Sequence, residues 1–412
     1  MSLLQVALEP STLVVAVDPG KVMNRVWVSD GSGLLVDPVS LPVSRDGIAS
    51  LEEMIGCLAC DRPSMVIAIE ATGSLHRAWA GELERRHPGG VRMFAPSETK
   101  AARIQLGSGR FKSDDRDCAA LTYLARQGAG RLVLEERGVE TLRAAVRHRR
   151  SLVADRKVMQ QRLHDQLNAL CPGLSAPAGH GRGLAIEQPS GQAVLACAVA
   201  FAGRAPTVRS LQARAPGRFA TADARYWADR WRACLPPPHD AEPRAARLAG
   251  DLARYRALRD DITVLEDDIA GLLAPTDGQI LTTLPGVAVV RAAAFAAHSL
   301  PIDRFPDADH LYSATGLAPA LYQSATLHRR GRISRQGLAE HRDALMGIAW
   351  GLSLFSPSFT QRDRDYRARG MAPIQARVAL ARHACRLAYR LLKTQQPFDE
   401  EAYRQGRHSR GR

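Results

Sequence analysis

The run Leu13-Val14-Val15-Ala16-Val17 constrains this chain more than any other stretch. Its residues are apolar without a break, so the segment has no face suited to water. It reads as a strand buried on both sides. The run ends on Asp18, and Pro19-Gly20 then turns the backbone. A second run, Met65-Val66-Ile67-Ala68-Ile69, closes in the same way on Glu70, ahead of Ala71-Thr72-Gly73. Two such strands in one sheet deliver two carboxylates to one edge. Mg²⁺ suits that arrangement, because it takes a few carboxylate oxygens and fills its remaining positions with water.

A doubly buried strand needs helices on both faces of its sheet. Residues 12 to about 130 supply the pattern, with strands expected at 12–18, 25–29, 33–36, 64–70 and 91–95. Helices are expected at about 47–59, 75–87, 97–106 and 115–127. This is an α/β domain with a mixed sheet. Several strands precede the first helix, which gives an RNase H-like order rather than a Rossmann one. No GxGxxG follows the first strand, so a dinucleotide site has no support.

A third group of acids lies in Lys112-Ser113-Asp114-Asp115-Arg116-Asp117. Ser113 or Asp114 is suited to cap the helix that follows. On that helix Asp114 and Asp117 share a face, and Asp115 points elsewhere. Alone, such acids do no more than complement a helix dipole. Joined to Asp18 and Glu70 they make four carboxylates that repel unless cations neutralise them. That is the logic of a two-metal phosphoryl-transfer site.

The net charge of +14 and pI near 10.0 point to a polyanionic partner, nucleic acid before membrane. The positive charge is almost all arginine, which grips phosphate with two parallel hydrogen bonds. The 7 cysteines are scattered, which argues against a disulfide framework and for a reducing cytosol. Cys57 and Cys60 form a lone CxxC with no second pair, a weak basis for zinc. The first residues lack a signal-peptide pattern, and no apolar run is long enough to span a membrane.

Past the α/β region the period changes. Leu142, Val146, Val153, Met159, Leu163, Leu167 and Leu170 recur at near-helical spacing. Leu248, Leu252, Tyr255, Leu258, Ile262, Leu265, Ile269 and Leu272 form a heptad seam. These two long helices should pair, within one chain or between chains. Residues 171–241 lie between them, rich in Pro, Gly and Ala, and read as an insertion at the tip of the pair. Flexible linker is the default there, although Trp227 and Trp231 are spaced to anchor a short helix. Gly179, Gly181 and Gly183 do not match a phosphate loop.

From Gly278 the chain is helical again. Leu284-Pro285-Gly286-Val287 before an alanine-rich segment suits either a helix-hairpin-helix turn facing a DNA phosphate or a plain interhelical turn. A polar loop at 322–337 holds Tyr322-Gln323-Ser324, then Arg329, Arg330, Arg332 and Arg335. A serine among arginines suits a nucleophile attacking a phosphodiester, or an ordinary DNA-contact loop. Ser334 reads as the N-cap of the next helix. Helices are expected near 336–355 and 373–394, and the residues from Arg404 read as a basic disordered tail.

Taken in order, Val-Asp-Pro-Gly-Lys, Ile-Glu-Ala-Thr-Gly, Lys-Ser-Asp-Asp-Arg-Asp, Leu-Pro-Gly-Val, Ala-Thr-Gly-Leu-Ala-Pro, Tyr-Gln-Ser and Gly-Arg-Ile-Ser-Arg-Gln-Gly resemble the DEDD transposases of insertion-sequence family 110. The likeness covers roughly 12–130 and 278–398. It implies a RuvC-like N-terminal domain (1–135), a coiled-coil middle (136–275, with the 171–241 insertion), a mainly α-helical C-terminal transposase domain (276–400) and a basic tail (401–412). It implies Asp18, Glu70, Asp114 and Asp117 as Mg²⁺ or Mn²⁺ ligands, and Ser324 as the catalytic nucleophile. Lys112, Arg329, Arg330, Arg332 and Arg335 then contact nucleic acid. The implied partners are DNA, a structured noncoding bridge RNA and further copies of the chain as dimer or tetramer. The implied location is the bacterial cytoplasm, at the nucleoid when DNA is bound. In this family Ser-Gly-Gly or Ser-Gly-Ser often stands where this chain has Ser324-Ala325-Thr326, and the lost glycine restricts the loop. Two rival readings are a metal-only nuclease of junction-resolvase type and a nucleic-acid-binding protein whose catalysis has lapsed.

Overall fold

The computed structural model describes residues 6–59, 62, 64–107, 111–133, 138–175, 183–324 and 327–408, with backbone alone at 320–332 and 406–408. The chain divides into two units, residues 1–135 and 136–412.

The first unit is a mixed sheet between helices. Its strands are β1 (Leu13–Asp18), β2 (Met23–Asp30), β3 (Gly33–Leu34), β4 (Val39–Pro42), β5 (Met65–Glu70), β6 (Val91–Phe94) and β7 (Arg131–Leu132). The helices are α1 (Arg45–Ala59), α2 (His76–Arg86), α3 (Pro96–Gln105) and α4 (Asp114–Arg126). The sheet order is β3-β2-β1-β5-β6-β7, with β4 paired to β2. β1 is central, antiparallel to β2 and parallel to β5. Every residue from Leu13 to Val17 is fully buried. Alternate side chains serve two cores, because successive strand residues face opposite ways. Leu13, Val15 and Val17 pack with Leu51 and Ile55 of α1 and Trp79 and Leu83 of α2. Val14 and Ala16 pack with Cys118, Leu121 and Ala125 of α4. The expected α/β class and strand positions agree with this, and the short strands β4 and β7 are additional. Cys57 is an exposed free thiol, and Cys60 lies outside the described residues.

The second unit starts with α5 (Val139–Leu170), followed by α6 (Pro189–Ala200), α7 (Val208–Ala213), α8 (Thr221–Arg232) and α9 (Ala241–Leu273). The two long helices pair antiparallel within one chain. Leu163, Leu167 and Leu170 share a core with Leu248, Leu252 and Tyr255, whereas Leu142 meets Ile269 and Leu273. Polar contacts keep the register, with Gln166 Nε2 donating to Asp251 Oδ2 at 2.7 Å and Arg149 Nε to Glu266 at 2.7 Å.

The 171–241 insertion is not a linker. Helices α6 to α8 build their own core on the tip of the long pair, with Trp227 and Trp231 buried. Trp231 Nε1 donates to the Gly203 carbonyl at 2.9 Å, so the burial leaves no polar atom of the indole unpaired. Small residues hid this core from a composition-based reading, because Ala193 and Ala198 let helices approach closely. Gly179 and Gly181 lie outside the described residues.

The remainder comprises α10 (Val289–Ser299), α11 (Ala308–Ala314), β8 (Pro319–Ser324), β9 (Leu327–Ile333), α12 (Ala339–Phe355), α13 (Pro357–Ala368), α14 (Pro373–Thr394) and α15 (Glu400–His408). Three expectations are corrected here. Most of the polar loop at 322–337 is an antiparallel β8–β9 hairpin. Ser334 is not an N-cap: α12 starts after Leu338, and the Ser334 amide donates to the Ala318 carbonyl at 2.8 Å. The tail is helical as far as His408. Glu400 accepts from Ser356 Oγ at 2.7 Å and from the Ser358 amide at 2.9 Å, and Tyr403 stacks on Phe359. Among the described residues, no helix is long and apolar enough to cross a membrane.

Candidate active site

The parallel register of β1 and β5 aligns Val17 with Ile69, so Asp18 and Glu70 leave the sheet side by side. Both strands continue to their acids because their apolar runs are buried to the end. Asp18 is half-buried and Glu70 is buried. Thr72 Oγ1 donates to Glu70 Oε1 at 2.5 Å and restrains that carboxylate.

Helix α4 brings the other acids. Ser113 is its N-cap, and its hydroxyl accepts from the Arg116 amide at 3.4 Å. The buried face of α4 carries Cys118, whose Sγ lies 3.4 Å from the Arg25 carbonyl and 3.9 Å from that of Ala16. The start of the helix is thereby held at the end of β1. Asp117 is buried and Asp114 is exposed. Asp115 faces away from the other three. It accepts from Arg25 Nε at 2.6 Å and Trp27 Nε1 at 2.9 Å, and these bonds hold its carboxyl below the ordinary range. Its work is to tie α4 to β2.

Asp18, Glu70, Asp114 and Asp117 share one electrostatic neighbourhood. Burial pushes the Asp18 carboxyl up to about 7, and the charges of Asp117, Glu70 and Asp114 push the same way, against Lys112. Burial also raises Asp117, against the charge of Arg103. Arg103 Nε lies 2.8 Å from Asp117 Oδ1, yet neither atom is aligned for a hydrogen bond. This arginine escaped the sequence reading, because nothing in Lys100-Ala101-Ala102-Arg103 distinguishes it from a surface charge.

The donor set fits a hard divalent cation. It is four carboxylates, one with a buried oxygen that has no hydrogen bond, and their mutual repulsion raises Asp18. As placed, no three His, Cys, Asp or Glu side chains among the described residues converge enough to enclose an ion.

The other predicted residues, apart from Lys112, lie in the second unit. Ser324 ends β8, its backbone opposite Leu327, and Ala325 and Thr326 lie outside the described residues. Arg329 and Arg330 pair with Tyr322 and Leu321 across the hairpin, and Arg332 lies further along β9. Arg335 is exposed at φ +55°, a left-handed conformation uncommon outside glycine, and its amide donates to the Gly316 carbonyl at 3.0 Å. Lys112 is exposed beside the acids. Gly286 has φ +73°, and a Cβ there would lie 2.7 Å from the Gly351 carbonyl, so close helix contact explains this glycine.

A sheet of this order, with acids gathered where β1 and β5 end, is compatible with the RNase H-like class of nucleic-acid-processing folds. Residues 15–172 match the IS110 DEDD transposase model, and residues 278–364 match the transposase model of the IS116/IS110/IS902 family. The insertion element IS116 44.8 kDa protein of Streptomyces clavuligerus is 26% identical over 319 residues, 74% of this chain and 77% of its own length. The insertion element IS110 43.6 kDa protein of Streptomyces coelicolor is 33% identical over 139 residues, 33% of this chain and 34% of its own. The chain belongs to the IS110 family of DEDD transposases and is a DNA-processing enzyme.

Proposed function

We propose that the protein cuts and rejoins DNA at the ends of its insertion sequence and at the target, with Ser324 as nucleophile and the four acids holding Mg²⁺. The gathering of Asp18, Glu70, Asp114 and Asp117 around one sheet edge carries this reading. Held by these carboxylates, a divalent cation would supply charge neutralisation for the scissile phosphate. The Ser324 oxygen then attacks phosphorus. A P–Oγ bond forms, the P–O bond to the departing strand breaks, the hydroxyl proton passes to solvent water, and the departing oxygen takes a proton from solvent. The phosphoserine ester conserves the bond for rejoining when a second strand end attacks it.

Arg329, Arg330, Arg332 and Arg335 suit nonbridging phosphate oxygens, and Lys112 suits the strand beside the acids. The resemblance adds a guide: a structured noncoding RNA selects the DNA, and dimers or tetramers let the acids of one protomer serve the serine of another. On this reading the 1–135 domain bears the acids and the 276–400 domain bears the serine. The working location is the cytoplasm, at the nucleoid when DNA is bound.

The test is a denaturing gel of protein, guide RNA, labelled target DNA and Mg²⁺. The expected outcome is a shifted protein–DNA band that Ser324→Ala abolishes. Cleavage by Ser324→Ala at the wild-type rate, with no shifted band from either protein, would sink the serine mechanism. Water would then be the nucleophile, as in a metal-only nuclease.

A further inference from the structure

The C-terminal end of α12 carries an aromatic and basic surface that the proposed chemistry does not use. Trp350 is 42% exposed, and Leu354 and Phe355 are exposed to 56% and 63%. Trp350 and Leu354 are one helical turn apart and share a face. Two guanidinium groups lie against the Trp350 ring, Arg291 of α10 at 5.2 Å and Arg377 of α14 at 5.9 Å from its centroid. Arg291 also donates to the Gly286 carbonyl at 2.6 Å, which fixes its direction. Arg364 joins Leu354, Phe355, Pro357, Thr360 and Gln361 around an adjoining groove of about 340 Å³. Among the described residues, Arg291, Arg364 and Arg377 form no ion pair with an acid.

These features select the occupant. A second copy of a chain carrying +14 would set like charge against three arginines that have no acid partner here, which is costly. A nucleic-acid strand brings one phosphate per nucleotide and a flat base. Exposed rings flanked by arginines are how non-specific single-strand binders hold both. A duplex hides its base faces, so the rings call for an unpaired base. We propose that this surface binds a single-stranded segment of the DNA substrate, Arg291 and Arg377 gripping phosphates while the exposed Phe355 ring, which lies against the Gly286 backbone that Arg291 bonds, stacks an unpaired base. The proposal rests on the DNA strand-exchange reading above, because only an opened duplex supplies such a segment. It adds a binding surface on α10, α12 and α14, outside the serine hairpin.

The experiment uses the full-length protein and a fluorescein-labelled thymidine oligonucleotide, with anisotropy read across a salt series. Arg291→Gln/Arg377→Gln should weaken binding at least roughly tenfold and lower the log–log salt slope by about 1.4, two contacts at ~0.7 each. Phe355→Ala should cost about tenfold, and Phe355→Trp should retain affinity. Photocrosslinking of wild-type protein to an iododeoxyuridine oligonucleotide should map to the peptide holding Trp350 and Phe355, a readout independent of variant folding. Unchanged affinity and slope, with no crosslink there, overturns the proposal. So does a change of oligomeric state at constant DNA affinity, which would make this a contact between copies, or a larger loss with an RNA oligonucleotide of matching sequence. Failure of wild-type protein to bind any single strand likewise overturns the proposal, whereas loss of the protein–DNA adduct in the gel above counts against the underlying strand-exchange reading.

Discussion

Asp115 and Asp117 are two residues apart and do opposite things. Asp115 spends its charge on Arg25 and Trp27, whereas Asp117 is buried towards Asp18 and Glu70 with a misaligned Arg103 beside it. That contrast separates predictions about single substitutions. Asp18→Asn and Asp114→Asn should abolish strand cleavage and the rise in melting temperature on adding Mg²⁺ or Mn²⁺, while leaving the metal-free melting temperature within a few degrees. Full activity of both variants in Mg²⁺ would remove the metal site. Arg103→Ala removes a cation that would compete with the proposed metal for Asp117, so it should lower the metal concentration needed for half-maximal stabilisation. Its metal-free protein should be less stable, because the buried acids lose a counter-ion. Asp115→Ala, by contrast, should cost about 1–3 kcal/mol in denaturant unfolding with metal binding little changed.

Helix α10 meets α12 through a buried pair of histidines. His341 Nε2 and Ser299 Oγ are 3.0 Å apart, whereas both ring nitrogens of His298 lack hydrogen-bond partners. Burial lowers His298 to about 4; Glu340 opposes the shift, and Arg143, Arg147 and Arg304 reinforce it. Burial, with His298 and Arg304, lowers His341 to about 3. Both rings are neutral in the fold at pH 7. The unfolded chain takes up their protons near pH 6.5, so stability is fully present above that pH and lost as pH falls towards 4. For His298 the loss is on the order of 3 kcal/mol. His298→Met should flatten that acid limb of a melting-temperature-versus-pH curve, and an unchanged limb would place the acid sensitivity elsewhere. Helix α15 is held at the N-terminus of α13 by Glu400, a favourable place for a carboxylate. Glu400→Ala should therefore cost about 1–2 kcal/mol and raise amide exchange across 400–408.

The whole molecule carries +14, and its arginines recur in both units. DNA affinity should fall steeply with salt, with a log–log slope near −0.9 per duplex phosphate contacted. Removing residues 404–412 takes away four arginines, of which Arg404 is paired to Glu401 within α15, and should reduce that slope. A salt-independent affinity would overturn the electrostatic reading. Residues 1–135 pack as a unit around their own sheet. Expressed alone, they should unfold cooperatively and retain the metal-dependent rise in melting temperature that Asp18→Asn removes.

Two apolar runs determined the centre of the first unit, because a strand with no polar side chain has nowhere to lie except between two layers. The same runs placed Asp18 and Glu70 at strand ends, and helical spacing separated Asp114 and Asp117 from Asp115. The periodic leucines likewise specified two long helices. What they left open was partnership, since a stripe states that a face is buried and not by what. Tertiary structure decided that α5 pairs with α9 in one chain, that alanine-rich helices turn a Pro- and Gly-rich stretch into a core, and that Glu400 fastens a tail that composition called disordered. It also put Arg103 against Asp117 and two arginines against Trp350. Those contacts join residues from separate helices, and spacing along a chain carries no information about which helices meet.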